Sequence, residues 1–155
     1  MLNAFMQRAI DLAIENVRAG RGGPFAAVVV KDGHVIATGA NCVTSTNDPT
    51  AHAEMTAIRE ACHLLSAYQL TGCDIYTSCE PCPMCLGAIY WARPDRVFFS
   101  ATAGDATAAG FDDSFIYDQL KLPYTRRRIP FERIVQDTTL QPFQEWEKKS
   151  DRIRY

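Results

Sequence analysis

From Asn3 to Ala19 the apolar residues Met6, Ala9, Ile10, Ala13, Ile14 and Val17 recur at steps of three and four, which predicts an amphipathic helix. Gly20-Arg21-Gly22-Gly23-Pro24 ends it, because neither Gly nor Pro propagates a helix well. The pattern then changes. Phe25 to Lys31 and His34 to Thr38 are short, β-branched runs joined by Asp32-Gly33, a hairpin signal because both turn positions take positive φ. Gly39 to Thr50 is polar and reads as a loop, with Asn47-Asp48-Pro49-Thr50 as the entry turn of the next helix. That helix is predicted over Ala51 to Ala67, with Met55, Ile58, Ala61, Cys62 and Leu65 on one face. A strand from Cys73 to Ser78 runs into Cys79-Glu80-Pro81-Cys82-Pro83-Met84-Cys85. A helix follows through Trp91 and Ala92, closed by Pro94, and Arg96 to Ala101 is a further strand. The last third is less regular; it suggests a helix over Asp113 to Leu120, a strand over Arg128 to Gln136 and a helix over Pro142 to Lys149. A hairpin followed by α, β, α, β describes an α/β layered domain.

Composition narrows the function classes. A length of 155 residues fits one domain. Sixteen Lys+Arg against 18 Asp+Glu leave a charge of −2, which argues against a protein built to sit on nucleic acid. The one basic run, Arg126-Arg127-Arg128, reads as a solvated loop, with RNA contact as its rival reading. No stretch approaches the ~18 apolar residues of a membrane span, and Met1 to Arg8 has no basic leader region. The expectation is a soluble, cytoplasmic protein. Its six cysteines are then reduced, and regular spacing among them points to metal or redox chemistry.

Two strings stand out: His52-Ala53-Glu54 at the start of one predicted helix, and Pro81-Cys82-Pro83-Met84-Cys85 at the start of the next. Alone, Cys-x-x-Cys suits a redox pair, half of a structural zinc knuckle, or two packed thiols. His-x-Glu alone suits a solvated helix start with an acid near the dipole. Together they match the zinc nucleobase deaminase signature, H-x-E followed by P-C-x-x-C. Cysteines at i and i+3 on a first helical turn aim both sulfurs at one point, and the positive helix end favours thiolates. His52 completes three ligands and leaves the fourth position of a catalytic zinc for water, whose pKa the metal lowers toward ~7. Glu54 stands beside the metal as proton carrier. A rival reading from a different class adds Cys79, so that Cys79, Cys82, Cys85 and His52 form a closed structural zinc site in a binding module. Against it stand the prolines flanking Cys82, which leave Cys79 on the strand end, and a Glu54 without purpose. Cys42, Cys62, Cys73 and Cys79 read as packed thiols, and His34 and His63 as surface or capping residues.

The sequence resembles the cytidine deaminase-like superfamily and, more narrowly, the short bacterial guanine deaminases. The likeness is carried by Gly22-Gly23-Pro24-Phe25, by Asn47 through Glu54, by Thr77 through Pro94, by Ala109-Gly110-Phe111-Asp112-Asp113-Ser114-Phe115-Ile116-Tyr117 and by the final Tyr155. It implies a three-layer α/β/α cytidine deaminase-like fold with a central mixed sheet. It implies one Zn2+ per subunit on His52, Cys82 and Cys85, and Glu54 as the catalytic proton shuttle. It further implies that Asn41, Asp113 and Tyr155 meet a small-molecule purine between apolar walls from Phe25 and Trp91. By themselves these five read as a turn residue, a helix N-cap, a fraying end and two core aromatics. The implied reaction is hydrolysis of guanine to xanthine and ammonia, in purine catabolism or salvage. The alternative within the superfamily is deamination of adenosine in tRNA or of another base or nucleoside. Relatives of this kind are homodimers that exchange C-terminal segments. The expectation is therefore a single zinc-dependent domain over 1–155 whose segment from about 110 to 155 is exchanged with a partner.

Overall fold

Along the central strands the side chains alternate in the period-two manner of extended chain. Ala27, Val29 and Ile75 join one buried cluster, and Val28, Val30 and Tyr76 another. A sheet apolar on both faces needs helices on both. The computed structural model describes residues 3–155, which fall into two units, the first ending at Asp113 and the second spanning Ser114–Tyr155.

The first unit holds β1 (Ala26–Lys31), β2 (His34–Ala40), β3 (Cys73–Cys79) and β4 (Arg96–Ala101) in the order β2-β1-β3-β4. β1 is antiparallel to β2 and β3, and β3 is parallel to β4, so the sheet is mixed. The turn between β1 and β2 has φ of 50° at Asp32 and 75° at Gly33, as the Asp-Gly pair predicts. Helix α1 (Ala4–Arg18) covers one face, with Asn3 as its N-cap accepting from the amides of Phe5 and Met6. Helices α3 (Ala53–Leu65) and α4 (Pro83–Ala92) cover the other. This is the expected three-layer α/β/α arrangement.

α3 meets the sheet through its smallest residues. Ala53, Ala57 and Ala61 present no side chain beyond a methyl, and each is fully buried. Opposite them is Gly39, where an added Cβ would stand 2.2 Å from the Ala53 carbonyl oxygen and 2.5 Å from the Ala57 nitrogen. Backbone therefore rests on backbone, and the helix that begins after His52 has a fixed seat.

Two short helices were not predicted, the first of them inside a segment expected to be a loop. α2 (Val43–Thr46) turns inside the Gly39 to Thr50 segment, and α5 (Ala103–Ala108) follows β4. α5 is held by a reciprocal cap between Thr102 and Asp105. The second unit contains α6 (Ser114–Lys121), a single 3-10 turn at Tyr124–Arg126 and α7 (Gln141–Lys148). The strand expected over Arg128 to Gln136 is not formed. A strand needs an edge to pair with, and here Phe131, Ile134 and Val135 are exposed and unpaired by any ladder. None of residues 114–155 is buried. No helix among the described residues is long and apolar enough to cross a membrane.

Candidate active site

The two signature strings fold into the starts of α3 and α4. His52 is the N-cap residue of α3 and Cys82 that of α4, and neither side chain caps its own helix. Both remain available for other partners. Pro83 opens α4 at the first-turn position where its missing N–H costs nothing, and Cys85 follows Cys82 by one turn. Both sulfurs thus face the imidazole: His52 Nδ1 lies 3.5 Å from Cys82 Sγ and 3.6 Å from Cys85 Sγ.

These three donors are the one group that could hold a metal among the described residues, their ligand atoms all lying within 4.8 Å of one another. Soft sulfur with imidazole nitrogen is a zinc donor set, and tetrahedral angles with bonds of about 2.3 and 2.0 Å place S and N about 3.5 Å apart. The spacing fits. Cys79 stays at the end of β3 with its thiol directed to the Thr102 carbonyl at 3.6 Å. His34 contacts the Asp32 carbonyl through Nδ1, and His63 is exposed in the last turn of α3.

Glu54 is buried within the first turn of α3, 6% exposed. Its Oε2 accepts from the Cys85 thiol at 3.4 Å and its Oε1 from the Thr77 hydroxyl at 3.3 Å. Burial pushes its carboxyl above the usual range. Sequence reasoning passed over Thr77. The available signal was a hydroxyl on β3 two residues from Ile75, on a sheet face that is otherwise apolar.

The thiols titrate as a pair, and the first proton leaves Cys82. A hydrogen bond from Cys85, aided by His52, pulls Cys82 down to about 4. Cys85 is pushed up by that same hydrogen bond, by burial and by the Glu54 carboxylate. His52 is raised by its hydrogen bond to Cys82. In chelator-stripped protein Cys82 should remain a thiolate well below the ordinary cysteine range, so its alkylation by iodoacetamide should stay nearly constant from pH 8 down to about 5. Peptide mass spectrometry checks this: a rate that falls tenfold per pH unit over that span contradicts it. Added zinc should block the label.

Of the other expected contacts, Asn41 follows β2 directly, is 8% exposed, and takes its backbone N–H to the Phe25 carbonyl at 3.0 Å. The adjacent Cys42 N–H donates to the Ala51 carbonyl, which ties this corner to the His52 strand of chain. Phe25 meets Phe111 edge to face, with centroids 4.9 Å apart. Asp113 is partly buried; burial raises its carboxyl, and the Cys82 thiolate adds to the shift. Trp91 is not at the cluster: it is exposed on the last turn of α4, roughly 13 Å further along the axis than Cys82 at 1.5 Å per residue. Tyr155 belongs to the second unit and is exposed.

The model of the cytidine and deoxycytidylate deaminase zinc-binding region matches residues 1–101. A guanine deaminase of Bacillus subtilis is 59% identical over 151 residues, covering 97% of this chain and 97% of that protein. The X-ray structure of guanine deaminase from Bacillus subtilis superposes with a TM-score of 0.97 at 58% identity, over 99% of each chain. A tRNA-specific adenosine deaminase of Aquifex aeolicus is 47% identical over 78 residues, half of this chain and 52% of that protein.

Proposed function

The chain belongs to the cytidine and deoxycytidylate deaminase zinc-binding family, and from that premise we propose that it hydrolyses guanine to xanthine and ammonia with one zinc ion per subunit. The choice of base is carried by the extent of likeness: 97% of the chain aligns with a guanine deaminase, and only 50% with a tRNA adenosine deaminase.

His52, Cys82 and Cys85 would hold the metal, which would supply water of lowered pKa at neutral pH. Water adds at C2 of guanine, and the 2-amino group leaves as ammonia. Glu54 accepts one proton of the attacking water and passes it to the ring nitrogen, then carries the second, from the hydroxyl formed at C2, to the departing amine. The Thr77 hydroxyl on Oε1 limits the rotation of that carboxylate.

Asn41 and Asp113 read the purine edge. Guanine offers acceptors at O6 and N7 and donors at N1 and the 2-amino group, so an amide and a carboxylate complement it. A base with the wrong groups leaves them unpaired, which supports discrimination. Phe25, backed by Phe111, forms an apolar wall. Tyr155 completes the set of contacts, entering from a second copy.

That arrangement is a homodimer exchanging the C-terminal segment. It is supported by residues 114–155, none of which is buried while Ile134, Leu140 and Phe143 are each more than 60% exposed. A segment with that much apolar surface needs a covering partner. All six cysteines are free thiols, in keeping with a reducing cytoplasm and a role in purine catabolism or salvage.

The test is turnover by the zinc-loaded protein with guanine, adenosine and cytidine in parallel, and its mass by sedimentation. Xanthine and ammonia in equal amounts, with both nucleosides untouched and twice the chain mass, is the expected result. Inosine or uridine without xanthine overturns the choice of base, and a monomer overturns the exchange.

A further inference from the structure

Asn16 occupies a place where the pattern of α1 calls for an apolar residue. It shares the buried face of the helix with Ala9 and Ala13 and is 1% exposed. A carboxamide taken out of water is unfavourable unless its hydrogen bonds are remade, and here they are remade outside the helix. Its amide nitrogen donates to the Gly23 carbonyl at 2.9 Å and to the Asn41 carbonyl at 2.8 Å. Its main-chain carbonyl separately accepts from the Arg21 N–H at 3.1 Å. One buried side chain therefore joins α1 to the glycine loop and to the residue that follows β2.

The glycine loop is fitted against Asn41 as well. A Cβ on Gly22 would stand 2.1 Å from the Asn41 carbonyl oxygen, so only glycine lets this backbone approach. The next N–H, that of Gly23, donates to Asn41 Oδ1 at 3.2 Å, and Val43 N–H approaches the same atom at 3.4 Å. Backbone N–H groups only donate, so the atom they face is the oxygen of the Asn41 amide. Its acceptor is engaged by the protein's own backbone, and its NH2 is the group left to offer a substrate.

We propose that Asn16 is a positioning residue: by holding the Gly23 and Asn41 carbonyls it fixes the orientation in which Asn41 presents its NH2 to acceptors on a purine. The inference rests on the reading that Asn41 contacts the base. Asn16 touches no substrate and acts only through the loop and Asn41. Removing it frees the Gly23 N–H and lets the Asn41 amide turn, so binding weakens while the zinc, Glu54 and the bond-breaking step are left as they were.

The test is a double-mutant cycle of Asn16→Ala and Asn41→Ala in the zinc-loaded protein. Asn16→Ala should raise KM for guanine about tenfold or more, with kcat changed less than threefold. In the Asn41→Ala background the same change should move KM less than twofold. A purely structural role would lower the melting temperature and leave KM in place, or raise KM by the same factor in both backgrounds; either result overturns the proposal. Asn16→Ser, which keeps one donor, replaces Asn16→Ala in the cycle if that chain does not fold. Amide hydrogen exchange supplies a readout free of substrate. The Gly23 N–H should be protected in the unaltered protein and lose that protection in both single variants, and protection retained in Asn16→Ala overturns the proposal. Unaltered protein that leaves guanine untouched would refute the choice of substrate, and the exchange measurement would then decide the role of Asn16.

Discussion

Glu54→Gln is expected to lower kcat for guanine hydrolysis by about 10³-fold or more, with zinc content unchanged. The substitution preserves shape, and its amide can still meet Thr77 and the buried wall of the site. It removes the one group there able to take up a proton and release it, a contribution generally of about 10²–10⁴-fold. Two observations set this residue apart from an ordinary acid on a helix start. It is 6% exposed, and its Oε1 accepts from the Thr77 hydroxyl. A carboxylate so placed cannot relieve a lost role by swinging to solvent. The measurement pairs xanthine formation with metal analysis of the same preparation. Activity within tenfold of the unaltered protein would remove Glu54 from the chemistry. Loss of zinc together with activity would instead make it a structural support of the cluster.

The second large effect is on the metal. Cys85→Ala should leave purified protein with less than a tenth of an equivalent of zinc and abolish turnover. Cys85 is fully buried on the first turn of α4, and its sulfur is 3.6 Å from His52 Nδ1. No other thiol stands ready to replace it, since Cys79 is engaged with the Thr102 carbonyl. Disturbing an outer partner of a zinc ligand commonly costs 10–100-fold in affinity, and deleting a ligand should cost more. The same effect should appear in thermal melts: the rise in melting temperature on adding zinc, which follows from binding to the folded chain alone, should vanish in the variant. Cys79→Ala is the matched control. It should keep its full complement of zinc; loss there equal to that in Cys85→Ala would establish a closed four-ligand site and remove the open position that hydrolysis requires.

Both effects fall on residues visible in the bare sequence, because the metal donors and Glu54 lie in two short strings at helix starts. Local patterning likewise gave α1, the β1–β2 hairpin, β3, α4 and β4 nearly at their observed bounds. α2 went unseen because Val43-Thr44-Ser45-Thr46 is four residues without periodicity. α5 was missed although its reciprocal cap, Thr102 with Asp105, was written in the sequence. The strand expected at Arg128 to Gln136 failed for the opposite reason: apolar, β-branched residues describe a capacity to pair, and pairing depends on an edge elsewhere. Thr77 and Asn16 were hidden by distance along the chain. Their partners are Glu54, 23 residues away, and Asn41, 25 residues away, and no window of local periodicity spans such separations.

The seat of α3 on Gly39 has a consequence for how the protein tolerates change. Where a helix is spaced from a sheet by interlocking side chains, each core substitution resets the spacing a little. Here the end of α3 that carries His52 and Glu54 is spaced by main-chain atoms, through methyl groups and a missing one. Substitutions among the larger residues farther along, such as Ile58 and Leu65, can erode stability while the working end keeps its height. The alignment of ligand and proton carrier is thereby insulated from drift in the rest of the core, and the margin for sequence variation lies everywhere except at the contact itself.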